Sequence, residues 1–335
     1  MRDGVTIWTE GGANIGMGHV VRTINVASAL DAMDIPVHFL VNNDRAVIDR
    51  LEGAGFPHIT YPIDGAHPSR LTHGVVVIDT RKDVTARIAA LRESGRKVVL
   101  LDNTVSKGAD LVIVPSALYN EEREAVKGGP EFVIVGERFR KERLWKIRHS
   151  LPLKVLVTMG GADPFSLTEL VLKSLKDMEG IEVTTVVGPA FSPERDLKAL
   201  ERWKPGFRFI DDVKDLSPLM AASHVAITAV GTTIYELACM GVPSVLIGNY
   251  ESDSFDLNGF DGRGVSVSLG HYKDVTHEAI RGAVERFKDE PFWRRASESS
   301  GDLVDGKGAE RIASLIEGIY NEKPGKTAVE GVRHA

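Results

Sequence analysis

Cysteine is almost absent from this sequence, since its 335 residues contain a single one, Cys239. One thiol excludes an internal disulfide and is typical of proteins that work in a reducing compartment. Cys239 lies within the apolar stretch 237–240, which favours a small buried hydrophobic side chain over a nucleophile. We therefore expect a cytoplasmic protein whose chemistry does not use this thiol.

Long hydrophobic runs are also absent. No apolar stretch reaches the roughly 18–20 residues that a membrane-spanning helix needs. The first residues lead directly into a strand-like run and lack the apolar region of a signal peptide. The sequence predicts no transmembrane segment and leaves peripheral contact with a membrane open.

An excess of positive charge is lacking as well, because 41 lysines and arginines face 47 acidic residues, for a formal net charge of −6. Broad nucleic-acid binding needs a basic footprint, so we expect no nucleic-acid partner. The histidines show no metal-ligand spacing and there is no CxxC motif, so we expect neither a metal nor another cofactor. The content of 43% hydrophobic and 26% charged residues is typical of a soluble globular protein, here a monomer or homodimer.

Short β-branched runs alternate with helical patterns in two successive series along the chain. Continuous apolar strands separated by helices predict an α/β fold with parallel sheets covered on both faces. A charged segment at 137–153 separates the two series, which places the domain boundary near Ser150. The predicted domains are 1–150 and 151–320, followed by a disordered tail at 321–335. The predicted strands are 5–10, 37–41, 75–79, 98–102, 111–114, 154–159, 182–187, 208–210, 225–228, 244–247 and 265–269.

A glycine-rich turn at residues 11–18 follows the first predicted strand and precedes a helix, where open α/β sheets bind ligands. Gly12, Gly16 and Gly18 allow positive φ angles and close approach of a ligand to the backbone, so we take them as candidate substrate contacts. The turn is not a dinucleotide fingerprint, because Val21 stands where the third glycine of that motif would be.

His19 comes at the start of the helix that follows this turn. A helix N-terminus disfavours a protonated imidazole, which suits a neutral general base. Arg22 lies one turn further along and is expected to face the same site. For both residues the alternative is structural, with His19 as a cap or packing residue and Arg22 as a surface arginine.

The second series of strands opens with another glycine turn. Gly160 and Gly161 offer free backbone N–H groups to a phosphate. Asp163, which follows them, is more simply interpreted as a helix-entry cap than as a catalytic group.

A third turn follows a later strand of the same series. Gly231, Thr232 and Thr233 together could bind a diphosphate through backbone N–H groups and hydroxyls. Glu236 lies one turn into the next helix, where its carboxylate could accept hydrogen bonds from ribose. A capping arrangement is the structural alternative.

Two aspartates end strands of the first series at the expected ligand edge, Asp79 and Asp102. Asp102 and Asn103 could contact a sugar, or they could begin a turn. The residues by themselves favour neither alternative.

Four segments resemble, in the same order, those of the UDP-sugar hydrolases of pseudaminic acid synthesis and the related spore-coat polysaccharide proteins. Residues 15–22 resemble their G-x-G-H-x-x-R turn, and 157–164 resemble their second-domain Gly-Gly-x-Asp-Pro turn. Residues 231–243 are similar to their nucleotide-binding turn and helix, and 305–312 to their closing motif. The likeness extends over most of the chain, which makes it specific for the superfamily.

The resemblance implies a GT-B fold, in which two Rossmann-like domains face a central cleft and the C-terminal domain holds UDP. It implies removal of UDP from a 2,4-diacetamido-2,4,6-trideoxy sugar by water attack at the anomeric carbon, without a metal. His19 matches the family's catalytic histidine, and Ile210 matches a position whose backbone reads uracil in related glycosyltransferases. The matches to the family's diphosphate and ribose contacts are Gly231, Thr232, Thr233 and Glu236.

The sequence departs from this family near the expected sugar. The family usually carries an Asn-Gln pair where this chain reads Asn249-Tyr250-Glu251-Ser252-Asp253, and an Asp-Asp pair is common where Asp102-Asn103 stands. We keep Ser252 and Asp253 as candidate substrate contacts. These changes leave open the identity of the sugar and the choice between hydrolysis and transfer.

The leading hypothesis is a UDP-sugar hydrolase in which His19 positions or deprotonates water. The main alternative is a glycosyltransferase that uses the same donor site with an acceptor other than water, because both would share every motif. A nicotinamide-dependent dehydrogenase is disfavoured by the missing third glycine. A non-catalytic sensor would bind the nucleotide sugar without turnover.

Overall fold

The computed structural model describes residues 4–12, 15–61, 74–121, 123–143, 148–188, 191, 206–211 and 213–322. The predicted Ala13 and Asn14 of the first turn lie outside the described residues, as does 323–335 of the predicted tail. The chain divides into two compact units. Within the described residues, the first unit comprises 4–114, 123–127 and 309–322, and the second comprises 115–121 and 128–308.

The first unit is built on a seven-stranded sheet. Its strands are β1 (Val5–Thr9), β2 (Val37–Asn42), β3 (His58–Tyr61), β4 (Val75–Asp79), β5 (Lys97–Leu101), β6 (Leu111–Val114) and β7 (Val126–Gly128). Their order in the sheet is β3-β2-β1-β4-β5-β6-β7, and the pairings from β3 to β6 are parallel. The chain therefore builds outward from β1 in one direction and then, from β4, in the other.

Burial explains why these runs form central strands. Every residue of β1 and of β4 is buried, as expected for strands covered on both faces. Strand β3, at the edge, is only partly buried. Three helices connect strands of this sheet, namely α1 (Gly18–Asp31), α2 (Arg45–Gly53) and α3 (Thr85–Glu93).

The second unit is built on a six-stranded sheet. Its strands are β8 (Leu153–Thr158), β9 (Ile181–Val186), β10 (Phe207–Ile210), β11 (Val225–Ala229), β12 (Ser244–Gly248) and β13 (Ser266–His271). Their order is β10-β9-β8-β11-β12-β13, and every pairing is parallel. The predicted α/β class with parallel sheets is confirmed in both units.

Eight further α-helices lie in the described part of the chain. They are α4 (Glu137–Glu142), α5 (Leu167–Leu175), α6 (Ser217–Ala221), α7 (Thr233–Met240), α8 (Ser254–Gly262), α9 (His277–Arg286), α10 (Glu290–Leu303) and α11 (Gly308–Asn321). From Ala309 onward, α11 groups with the first unit. There Lys97 Nζ lies 3.2 Å from Glu322 Oε2 at the end of the helix.

The grouping of residues differs from the predicted division near Ser150, because 128–143 and 148–150 belong to the second unit. Val135 and Phe139 of this segment are buried in one hydrophobic cluster with Leu237 and Met240 of α7. The charges of 137–153 predicted a solvated helix or a linker. Helix α4 forms within this run, and Phe139, between those charges, packs into the second core.

None of the helices in the described part of the chain is long and apolar enough to cross a membrane.

Candidate functional site

In the first unit, the candidate residues gather at the carboxyl ends of β1, β4 and β5. The sheet grows from β1 in one direction and from β4 in the other, so the loops after these two neighbouring strands diverge. Open α/β sheets bind ligands at such a topological switch point. Helix α1 begins at Gly18, after the loop that follows β1, and carries His19 in its first turn.

His19 pairs with Asp79, the last residue of β4. The distance between His19 Nδ1 and Asp79 Oδ1 is 2.7 Å. The Asp79 side chain is fully buried and that of His19 is 14% exposed. When Nδ1–H donates to this carboxylate, Nε2 keeps its lone pair and can act as a base.

Arg22 holds the same carboxylate and a second one. Its Nε donates to Asp79 Oδ2 at 2.7 Å, and its Nη2 donates to Asp79 Oδ1. Its Nη1 donates to Oδ2 of Asp102 at 2.7 Å, and Asp102 is the residue that follows β5. The structure thus brings together His19, Arg22 and Asp102 of the predicted site and joins them through Asp79.

Asp79 was noted in the sequence as the end of a strand but not as the partner of His19. The signal that could have found it is an aspartate ending a fully apolar run next to the first strand. The pairing depends on β4 lying beside β1, which the order of strands along the chain does not give.

Opposing effects set the charge states in this cluster. Burial raises the pKa of Asp79, but the charge and hydrogen bonds of Arg22, with a further hydrogen bond from His19, outweigh it and hold the pKa below its ordinary value. Burial lowers the pKa of Arg22, but Asp79 and Asp102 outweigh it and raise that pKa above its ordinary value. Both side chains are therefore charged at neutral pH.

The glycine turn before α1 is closed by its own backbone. Gly12 N donates to Gly16 O at 3.2 Å, and Gly16 N donates to Gly12 O at 2.7 Å. A Cβ atom on Gly12 would lie 2.2 Å from Oδ2 of Asp44, which caps α2. These two glycines shape the loop that leads to Gly18, and their contact with a substrate stays a prediction.

Asn103 is buried and its side chain links the loops after β4 and β5. Its Nδ2 donates to Thr80 O at 2.6 Å and to Lys82 O at 2.9 Å, and its Oδ1 accepts from Ser106 N at 3.0 Å. These bonds fit the turn-forming alternative for Asn103 rather than a free group that binds a sugar.

In the second unit, the two predicted glycine turns flank the corresponding switch point. Gly160 and Gly161 follow β8, Gly231 follows β11, and these two strands are neighbours. A Cβ atom on Gly188, after β9, would lie 2.4 Å from the carbonyl oxygens of both Gly160 and Gly161. Backbone packing against Gly188 therefore supports the first of these turns.

The side chain of Asp163 caps the start of α5, although Ser166 occupies the N-cap position itself. Its Oδ1 accepts from Leu167 N at 2.8 Å and its Oδ2 accepts from Thr168 N at 3.1 Å. The helix-entry cap predicted for this residue is confirmed.

The start of α7 lacks a side-chain cap. Thr232 is the N-cap residue and its side chain makes no capping bond. The first backbone bonds of the helix run from Ile234 N to Gly231 O at 3.2 Å and from Tyr235 N to Thr232 O at 3.1 Å. Gly231 and Thr232 are exposed. An uncapped helix start combines N–H donors with the positive end of the helix dipole, which suits a phosphate.

Glu236 lies on the first turns of α7 and has an unusual charge state. Burial raises the pKa of its carboxyl to about 7, with a smaller raising effect from Asp215 and an opposing effect from Arg138. When burial disfavours ionisation of a carboxyl group, partners that donate hydrogen bonds to it stabilise its charged form.

Ile210 is the last residue of β10 and lies at the carboxyl edge of the second sheet. Its carbonyl accepts from Val187 N at 2.9 Å, so this backbone group already takes part in the structure of the unit. Contact of Ile210 with a base stays a prediction.

The loop after β12 is closed by Asp253. Its Oδ2 accepts from Asn249 N at 2.8 Å and from Tyr250 N at 3.0 Å. Ser252 is exposed. Asp253 therefore holds the loop in place, and Ser252 is the more accessible of these two candidate contacts.

Among the described residues, no group of three or more histidine, cysteine or acidic side chains could hold a metal ion.

Comparison with known proteins gives distant relatives along nearly the whole chain. No family model matches. An uncharacterized protein of Methanocaldococcus jannaschii is 27% identical over 95% of this chain and 67% of its own length. The spore coat polysaccharide biosynthesis protein SpsG of Bacillus subtilis is 24% identical over 95% of this chain and 99% of its own.

Solved structures match over the same extent. MurG of Acinetobacter baumannii has a TM-score of 0.71 at 15% identity, covering 94% of this chain and 99% of its own. The spinosyn forosaminyltransferase SpnP has a TM-score of 0.70 at 15% identity, covering 96% of this chain and 100% of its own. The chain has a GT-B fold. This confirms the predicted architecture, in which each of the two α/β units carries its own sheet.

Proposed function

We propose that this protein is a nucleotide-sugar hydrolase that releases UDP from a UDP-linked sugar by water attack at the anomeric carbon. The observation that carries the proposal is the pair formed by His19 Nδ1 and the buried Asp79 carboxylate, 2.7 Å apart at the switch point of the first sheet. The GT-B fold and a relative named for polysaccharide biosynthesis support an enzyme of sugar metabolism.

His19 is the base in this mechanism. Asp79 accepts a hydrogen bond from Nδ1–H, fixes the ring orientation and compensates the positive charge that develops when Nε2 takes a proton from water. The oxygen of that water forms the new bond to the anomeric carbon as the bond to UDP breaks.

The leaving group is stabilised by the second unit in this proposal. The uncapped start of α7 at Gly231, Thr232 and Thr233 binds the diphosphate, which carries the negative charge as the glycosidic bond breaks. Glu236 accepts hydrogen bonds from ribose, and the backbone at Ile210 lies beside the base.

The sugar class follows from the family resemblance and is proposed as a diacetamido-trideoxy sugar used in surface-glycan synthesis. The name of the Bacillus subtilis relative supports a product that enters a surface polysaccharide. The usual Asn-Gln pair is missing from the segment 248–255, so the substituents of the sugar are expected to differ from those in the family.

A panel of nucleotide sugars incubated in water, with products identified by mass, tests the proposal. We expect release of UDP together with free sugar from one member of the panel and no need for an acceptor. Release only after addition of an acceptor would make the protein a glycosyltransferase, and binding without release under either condition would make it a sensor.

A further inference from the structure

Arg22 uses all three nitrogens of its guanidinium on protein carboxylates. Its Nε and Nη2 donate to Asp79, and its Nη1 donates to Asp102. Its side chain is only 16% exposed. An arginine held in this way is a poor candidate for the bidentate recognition of a ligand phosphate.

The contacts form a continuous chain that ends at His19. Asp102 contacts Arg22, Arg22 contacts both oxygens of Asp79, and Asp79 Oδ1 contacts His19 Nδ1. Nη2 of Arg22 also lies 3.0 Å from His19 Nδ1. The fork of Arg22 therefore fixes the orientation of the one carboxylate that orients the imidazole.

The total charge of these four contacting side chains depends on whether His19 is protonated. Two carboxylates and one guanidinium leave one net negative charge when the imidazole is neutral, and protonation of His19 cancels it. Asp79 is fully buried and its charge is matched by Arg22, whereas Asp102 is 30% exposed. The charge of Asp102 thus decides whether a proton on His19 neutralises the cluster or adds an excess positive charge.

We propose that Arg22 and Asp102 are positioning residues for His19 rather than substrate contacts. Arg22 holds the Asp79 carboxylate against Nδ1, and Asp102, acting through Arg22, sets how readily the imidazole takes up a proton. The inference rests on the proposed role of His19 as the base and extends it to two residues that do not touch the reacting atoms.

The other charged groups at the ends of these strands have partners of their own. Glu10, after β1, pairs with Lys82, after β4, at 2.9 Å. Asp44, after β2, accepts two backbone N–H bonds at the start of α2. Within the described residues, Asp79 and Arg22 are the charged groups in direct contact with the His19 ring.

Two substitutions of opposite sign test the inference through the pH dependence of kcat/KM. Asp102→Asn removes a negative charge, makes protonation of His19 less favourable and should move the acid limb of the profile to lower pH. Arg22→Gln removes a positive charge and should move the same limb to higher pH by about one unit. Arg22→Lys keeps the charge but loses the fork, so kcat should fall with little movement of the limb.

Arg45→Gln is the matched control, because Arg45 is 81% exposed in the same unit and pairs only with the neighbouring helical Asp49 among the described residues. It should change neither kcat nor the profile. Arg22→Gln leaves the buried Asp79 without its partner and risks unfolding. Asp102→Asn affects a partly exposed group, keeps the fold and carries the test by itself.

A second readout does not depend on turnover. The ring of His19 is followed by NMR titration of the carbon-labelled histidines, with its signal assigned by His19→Gln. We expect the titration midpoint to move to lower pH in Asp102→Asn and to stay unchanged in Arg45→Gln.

An unchanged midpoint in Asp102→Asn overturns the inference, as does a rise in KM alone, which would make Asp102 a substrate contact. If the protein hydrolyses a nucleotide sugar but the His19 midpoint does not move in Asp102→Asn, the inference is wrong and the proposed hydrolase function stands. If the His19 midpoint moves but no nucleotide sugar is turned over, the proposed hydrolase function is wrong and the electrostatic coupling of Asp102 to His19 stands.

Discussion

At the scale of single residues, the His19–Asp79 pair makes the most direct prediction. His19→Ala removes the proposed base, so turnover of the UDP-sugar should fall by about 10²–10⁴-fold. The affinity for UDP should stay close to that of the unchanged protein, because the proposed diphosphate contacts lie in the second unit. Steady-state kinetics and calorimetric titration with UDP measure the two quantities.

His58→Gln, in strand β3 of the same sheet, is the control for His19→Ala and should keep full turnover. Turnover of His19→Ala at the level of the unchanged protein would remove His19 from the mechanism. A parallel loss of UDP affinity would instead place His19 in ground-state binding.

The raised pKa of Glu236 makes a second prediction at this scale. A carboxyl whose pKa rises on folding to about 7, from an ordinary 4.5, favours the folded state below pH 4.5. That contribution is lost as the pH rises through 7. Glu236→Gln removes the buried charge, so its melting temperature should exceed that of the unchanged protein at pH 8, by roughly 2–4 °C.

The difference in melting temperature should shrink toward zero near pH 4.5, and scanning calorimetry at several pH values measures it. A constant difference at all pH values would mean that packing rather than ionisation is responsible. If Glu236 also binds ribose, the same variant should bind UDP more weakly at pH 8 while being more stable.

Sequence reasoning found the residues of the first site but not how they are connected. The motif around His19 and Arg22 was visible as a pattern, whereas the roles of Asp79 and Asn103 depend on contacts between loops that are distant in the chain. Asn103 shows the limit clearly, because the same amide could bind a sugar or a neighbouring carbonyl, and only the fold provides Thr80 O at 2.6 Å.

At the scale of elements, the clearest of the predicted strands are those with uninterrupted β-branched runs. Strand β4 reads Val-Val-Val-Ile-Asp and is buried throughout, so its sequence predicts it almost alone. Strand β3, with His58 and Thr60 alternating with Ile59 and Tyr61, is an edge strand with a weak pattern and was missed. Helix α10 was also missed, although its Asp289 cap and early Pro291 are a recognisable start signal.

The turn after β8 makes a prediction at this scale. Gly188→Ala would place a Cβ atom 2.4 Å from two carbonyl oxygens of the Gly160–Gly161 turn, so the turn must move. We expect a loss of about 1–3 kcal/mol in the free energy of unfolding. The affinity for UDP should also fall if this turn contacts the phosphates.

Gly282→Ala is the matched control for Gly188→Ala. Gly282 lies within α9 with no atom within 4 Å of an added Cβ, so alanine there should stabilise the protein by about 0.5–1 kcal/mol. Denaturant unfolding of both variants measures the contrast. A neutral Gly188→Ala would show that the backbone contact can relax without cost.

At the scale of the whole molecule, the proposal assigns the nucleotide to the second unit. UDP alone should slow amide hydrogen exchange at the turns after β8 and β11 and in the first turn of α7. The first turn of α1 should exchange as before until a complete UDP-sugar is added. Mass-spectrometric exchange at peptide resolution measures both regions.

Protection of the α1 segment by UDP alone, with no change at α7, would reverse the assignment of nucleotide and sugar to the two units. Protection of neither would indicate that a different nucleotide is bound. A parallel titration with ADP, GDP and dTDP separates these outcomes.

The division of the chain into two series of strands was predicted correctly in kind, because each series forms its own sheet. The grouping of 128–143 with the second unit and of α11 with the first could not be predicted, and α11 joins the sheet that lies further from it in sequence. Charge patterns report exposure to solvent along a segment, but they do not report which core its hydrophobic residues enter.

The placement of α11 has a consequence for biosynthesis. The first unit draws its last helix, with buried Ile312 and Ile316, from residues that leave the ribosome after the second unit has been synthesised. Domains usually fold in the order of their translation. Here the first unit is complete only once α11 has been synthesised, so the second unit can finish folding first. We expect a premature stop before Gly308 to harm the unit that carries His19 more than the unit that carries the proposed nucleotide site.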